Sequence, residues 1–101
     1  MTRVVVASEF ERSTGAQIRH LQDIDRIQWV ERLELELSAL IELLARYPLA
    51  GRELKRSHGV AVRKFRLRQL PLYVWYEYDD RVDELRLLRL FHVRQRRLDL
   101  R

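Results

Sequence analysis

The sequence predicts an α+β domain in the order β-α-α-β-β-β, with a small antiparallel-rich sheet and a helical hairpin packed on one face. Three observations carry this expectation. An apolar stripe recurs at three- and four-residue steps from Ile24 to Leu44. Two strand-length runs, residues 72–78 and 85–92, flank a polar break at Asp79, Asp80 and Arg81. A β-branched run, Val4-Val5-Val6, precedes both.

Those three valines read as a first strand buried on both faces. Ser8 with Glu11 three residues on fits a capping box opening a first helix, whose inner face would hold Phe10, Ile18 and Leu21. Gly15 costs such a helix about 1 kcal/mol relative to alanine, so a short, broken or shifted helix is expected. Asp23 is placed as the cap of the second helix. Ile24, Ile27, Val30, Leu33, Leu37, Leu40, Ile41 and Leu44 form its inner stripe. Trp29 and Leu35 fit that stripe poorly and read either as a wider core face or as a contact for a partner.

Tyr47-Pro48 ends the helix, because proline disfavours helical geometry in the residue before it. Arg52 to Gly59 reads as a polar basic loop in which Lys55, Arg56 and His58 could meet phosphate. Residues 60–68 read as a strand with a bulge or a basic outer face. A hairpin follows, with a loop of about five or six residues, and its second strand runs into His92, Arg94, Gln95, Arg96 and Arg97. A stiff strand end holds charged groups still, which makes this the expected functional surface. The sheet face away from the helices is left to basic side chains.

The chain of 101 residues is expected to form one domain, 1–101. It has no cysteine, which excludes a disulfide framework and thiolate-bound metal and suits a reducing cytoplasm. No signal peptide and no membrane-spanning run is read. Charge is unevenly spread: residues 1–51 carry 6 basic and 8 acidic side chains, residues 52–101 carry 14 and 7. The C-terminal half is therefore at net +7, which points to a polyanionic partner, nucleic acid or an acidic protein segment. A solvated basic surface is the plainer alternative.

Order and spacing together resemble the RelE/ParE superfamily, the toxins of bacterial type II toxin–antitoxin modules. The pieces that carry the resemblance are Tyr47-Pro48-Leu49-Ala50-Gly51 after the helices, Val62-Arg63-Lys64-Phe65, Tyr73-Val74-Trp75-Tyr76-Glu77-Tyr78-Asp79-Asp80, and the run from Leu88 to Arg97 containing Leu90-Phe91-His92. The resemblance implies a microbial-ribonuclease-like α+β fold and a cognate antitoxin whose amphipathic segment wraps the toxin. RelE-like members cut mRNA on the ribosome; ParE-like members poison DNA gyrase. Val93 stands where some ribonuclease relatives place a catalytic tyrosine, and His92-x-Arg94-Gln95-x-Arg97 is similar to the ParE-like, plasmid-stabilisation branch. A ParE-like growth inhibitor is thus expected, with a RelE-like mRNA interferase as the alternative and an inactive, antitoxin-binding relative as the third reading.

Metal-independent RNA cleavage would use His92 as acid or base, with Lys64, Arg66 and Arg94 supplying positive charge. The equal alternative for His92 is a structural ring bonded to backbone. Arg63, Tyr76, Arg94, Arg96 and Arg97 are expected to meet the target or nucleic acid, with Tyr76 or Tyr78 stacking on a base. Trp29, Leu35, Arg96 and Arg97 are expected to meet the antitoxin. In an unbulged strand Lys64 and Arg66 share a face and Arg63 projects opposite. Neither a cofactor nor a metal is expected: the glycines are scattered, and His20, His58 and His92 lie far apart in sequence.

Overall fold

The computed structural model describes residues 2–95. The elements follow as β1 (Arg3–Val6), α1 (Ser8–Asp23), α2 (Ile27–Arg46), β2 (Arg52–Ser57), β3 (Val60–Arg66), β4 (Leu72–Asp79) and β5 (Glu84–His92), closed by a 3-10 turn, η1 (Val93–Gln95). The five strands form one sheet in the order β1-β5-β4-β3-β2. Its β1–β5 pair is parallel and the other three pairs are antiparallel. Both helices lie on one face. Leu33, Leu37, Leu40 and Leu44 of α2 and Phe10 of α1 pack there with Leu72, Val74, Tyr76, Leu85, Leu87 and Leu90 of the sheet.

The expected stripe on α2 holds from Leu33 onward, but its start does not. Ile24 and Ile27 are exposed because the chain is still turning between the helices, with Asp25 at φ 58°. Asp23 ends α1 rather than capping α2, whose cap residue is Arg26. Ser8 is likewise the first residue of α1, after an Ala7 cap without a side-chain bond. Gly15 does not break α1, which runs through it without interruption. One helical hydroxyl does tertiary service: Ser13 Oγ accepts the Leu90 N–H at 2.9 Å, tying α1 to β5 beyond the end of β1.

Two further corrections concern the sheet. Arg52 to Ser57 is a strand, β2, not a loop; it returns into β3 through His58 and Gly59, both at positive φ. A two-residue turn with both residues left-handed matches the right-handed twist of its flanking strands, so the polar sequence pairs in spite of its low β-propensity. Meanwhile β1 is an edge strand, half-buried at Val4 and Val5 and exposed at Val6, rather than buried on both faces. Its start is fastened by Asp83, whose carboxylate accepts hydrogen bonds from Thr2 Oγ1 (2.8 Å) and Tyr78 Oη (2.7 Å).

The face away from the helices is not simply basic. Val62, Trp75 and Phe91 form a second buried cluster there, with Leu54, Tyr73 and Leu88 packed against it. Phe91 stacks on Tyr73 at 5.5 Å and meets Trp75 edge-on at 4.9 Å. A register shift opposite Trp75/Tyr76 re-aims β5, so that Leu87 and Leu90 both reach the main core while Leu88 and Phe91 reach the second cluster. No described helix is long and apolar enough to cross a membrane.

Candidate functional site: a cationic pocket on the open sheet face

Period-two alternation and strand register build the pocket. Residues directly opposite each other in an antiparallel pair project to the same side. Arg52 lies opposite Lys64, Lys64 opposite Trp75, and Arg66 opposite Tyr73. Because Trp75 and Tyr73 belong to the open-face cluster, Arg52, Lys64 and Arg66 stand on that face with them. Together with Phe65 they line an open cavity of about 360 Å³. The Lys64 ammonium sits over the Tyr73 ring at 4.4 Å, a cation–π contact that fixes its direction. Arg52, Lys64 and Arg66 have no ion-pair partner among the described residues. Three cations left unneutralised around an aromatic wall suit a phosphate or carboxylate ligand.

His92 is not part of this pocket. It lies opposite Leu72, a residue of the helix-side core, and the charge of His20 on α1 acts on it. The sheet therefore separates the imidazole from Lys64 and Arg66, and the lining of the pocket holds no histidine or carboxylate. His92 instead accepts the Arg94 N–H through Nδ1 at 3.1 Å. Burial pushes its pKa below the ordinary histidine value, and the positive charges of Arg94 and His20 add to that.

That shift has a sign. A histidine whose folded pKa is depressed takes up its proton more readily when unfolded, so its contribution to stability is intact above the unfolded value of about 6.5 and is lost as pH falls below it. Melting temperature is expected to drop between about pH 7 and about pH 5, and His92→Gln should flatten that drop. An unchanged slope in the variant would assign it to other groups.

Two other expected site residues, Tyr76 and Arg63, hold the fold together. Tyr76 is fully buried, so its ring has no surface on which a base could stack. Its hydroxyl accepts the Gly51 N–H (2.7 Å) and donates to the Pro48 carbonyl (2.8 Å), locking the α2–β2 connection onto the sheet. Burial raises its pKa, opposed by the Gly51 bond and the charge of Arg63. Arg63 projects opposite Lys64, as strand parity requires, and donates to the Gly51 carbonyl at 2.9 Å while lying 3.6 Å from Glu53. Trp29 packs partly into the core, whereas Leu35 is 72% exposed. Arg94 is exposed on η1. Arg96 and Arg97 lie outside the described residues.

Sequence reasoning missed Arg52 and Tyr73 as pocket members. A signal was present in His58-Gly59, two residues between basic stretches with glycine second, which is the pattern of a tight hairpin turn. Pairing across it sets Arg52 beside Lys64. Among the described residues, no three metal-ligating side chains come together.

No protein-family model and no curated protein matches the sequence. Solved structures do match the fold. A chain of the chromosomal ParDE toxin–antitoxin system from P. aeruginosa superposes with a TM-score of 0.70 at 16% identity, covering 91% of this chain and 96% of that one. A chain of the RelBE2 toxin–antitoxin complex from Mycobacterium tuberculosis gives 0.53 at 21% identity, covering 90% and 96%. Likeness at these identities is likeness of architecture, and by that architecture the chain has the RelE/ParE fold.

Proposed function

We propose that the protein is the toxin of a type II toxin–antitoxin module, a cytoplasmic growth inhibitor of the ParE-like kind that acts on DNA gyrase and is neutralised by a cognate antitoxin. The observation that carries the choice of target is the separation of His92 from the cationic pocket. Metal-independent RNA cleavage needs an acid and a base within reach of the same phosphate that the cations hold. Here the cations face one side of the sheet and the imidazole the other. Such a pocket binds an anionic group without supplying proton transfer, which suits a protein that grips its target. Lys64 and Arg66 lead that contact, with Arg94, Arg96 and Arg97 assigned to it as well. A second reading, an mRNA interferase, draws on the Lys64–Tyr73 pair, a cation beside an aromatic face of the sort that receives an unstacked base.

The test adds purified, antitoxin-free protein to two assays. Gyrase supercoiling is expected to be inhibited, and primer extension from a translating extract is expected to show intact message. His92→Ala should leave inhibition within about twofold, because a residue across the sheet makes no charge contact in the pocket. New mRNA ends at ribosomal A sites that vanish in His92→Ala would replace this reading with the interferase one. Inactivity in both assays would leave a chain that only pairs with its antitoxin.

A further inference from the structure

Lysine is scarce in this chain, and one of its lysines stands in the cationic pocket. Of the 20 cationic side chains 18 are arginines; the two lysines are Lys55 and Lys64. A guanidinium keeps its charge at any ordinary pH, whereas an amine that gives up its proton attacks carbonyl carbon. Lys64 therefore brings to the pocket a reactivity that Arg52 and Arg66 lack. Gripping an anion does not require it.

The surroundings of the two amines differ. Arg52 lies directly across the strand pair from Lys64, and Arg66 stands two residues along β3. Their side chains leave the sheet about 5 and about 7 Å from that of Lys64, on the same face. Neither guanidinium has an ion-pair partner among the described residues. The Lys64 ammonium is held over the Tyr73 ring at 4.4 Å, and Phe65 and Tyr73 give the cavity an apolar wall. Lys55, by contrast, is exposed on β2 opposite Val62, and beside it Glu53 and Arg56 pair with each other at 3.1 Å. It serves as a reference amine within the same molecule.

We infer that Lys64 is an acylation site whose acyl donors are small acyl phosphates. In such a mixed anhydride one bridging oxygen joins the phosphate to the electrophilic carbonyl carbon. A phosphate held by Arg52 and Arg66 therefore sets that carbon beside the amine. The ammonium first loses a proton to water. Its Nζ then attacks the carbonyl carbon, the bond from that carbon to the bridging oxygen breaks, and phosphate leaves with the electron pair. A second amine proton passes to the departing phosphate, so the products are an amide on Lys64 and hydrogen phosphate. The two guanidiniums stabilise the charge that gathers on the leaving group, and the short acyl chain lies against Phe65 and Tyr73. No protein base takes part, in keeping with a lining that holds neither histidine nor carboxylate. Acylation removes the charge of Lys64. On the reading that this pocket grips the target, which this consequence rests on, the modification switches the inhibitor off.

The experiment incubates the folded chain with acetyl phosphate and follows each lysine by peptide mass spectrometry. Lys64 is expected to be acetylated at least about tenfold faster than Lys55 in the same molecules. Inorganic phosphate should slow Lys64 selectively, and chloride at equal ionic strength should slow it less. Arg52→Gln with Arg66→Gln should bring Lys64 to within about twofold of Lys55. Both arginines are exposed, so that variant should melt like the parent. Acetyl-CoA, whose phosphates lie far from its thioester carbonyl, should show no preference for Lys64. Equal rates at the two lysines of the parent chain, a preference that survives the double variant, or one as strong with acetyl-CoA would each overturn the inference. The acetylated chain then enters the supercoiling assay, where inhibition should fall at least about tenfold. Undiminished inhibition by chain acetylated at Lys64 would leave the acylation site standing and take the target contact off this pocket. Inhibition by a chain that shows no Lys64 preference would do the reverse.

Discussion

Gly51→Ala is expected to destabilise the protein by about 3 kcal/mol, a fall in melting temperature of roughly 10–20 °C for a domain of this size. Gly51 is buried at the junction between the helical layer and β2. A Cβ there would lie 2.6 Å from both Cε1 and Oη of Tyr76 and 2.8 Å from the Lys64 carbonyl oxygen. Two of those atoms belong to a fully buried ring and the third to strand backbone, so none can step aside cheaply. Moving the ring also breaks the bonds by which Tyr76 Oη holds Gly51 and Pro48. Tyr76→Phe isolates that second part and should cost about 1–2 kcal/mol, because it leaves the Gly51 N–H without its phenolic partner. Denaturant unfolding of the two variants checks both figures. A Gly51→Ala protein as stable as the parent would mean that the connection relaxes away from Tyr76, and that the junction is not a packing constraint.

The largest functional effect is expected from reversing the pocket. If the pocket grips the target as proposed, Lys64→Glu with Arg66→Glu should reduce growth inhibition at least about 100-fold, since two charge-assisted contacts, each worth about 1.5–3 kcal/mol, become repulsions. The fold should tolerate the change. Arg66 is exposed and Lys64 half-buried, and the contact their charged groups make among the described residues is that of Lys64 over Tyr73, worth about 0.5–1 kcal/mol. Growth assays of the induced chain, paired with circular dichroism of the purified variant, separate loss of function from loss of structure. Full toxicity in the folded double variant would move the target contact off this face. The conservative pair Lys64→Arg with Arg66→Lys preserves charge, and should retain more activity than the reversal by an order of magnitude or more.

Several elements are legible in the amino-acid pattern. The α2 stripe from Leu33 to Leu44 and the β4–β5 hairpin follow from periodicity, because burial on one side of a regular element repeats with its own period. Strand parity alone puts Arg63 on the opposite side from Lys64 and Arg66. Boundaries are less legible. Ser8 and Asp23 carry the right side chains for caps, yet the tertiary path of the chain places the helix ends one residue earlier and three residues later. The polar stretch 52–57 has the poor β-propensity of a loop, whereas pairing with β3 is what makes it a strand.

The α+β class, the order of the two helices and the last three strands, and the concentration of positive charge in the C-terminal half follow from the chain's local periodicity and composition, whereas β2 does not. Which charged groups share a face is decided by how the strands pair. Arg52 joins Lys64 through a hairpin register, and a register shift in β5 re-aims its end so that Phe91 faces the open side and His92 the helices. Tyr76, a surface aromatic by its sequence context, is the buried lock on Gly51 because its strand turns that side chain toward α2. In a sheet, one residue of register moves a side chain from one face to the other. The face on which His92 stands hangs on that step, and no local pattern in the chain marks the register shift in β5 that sets it.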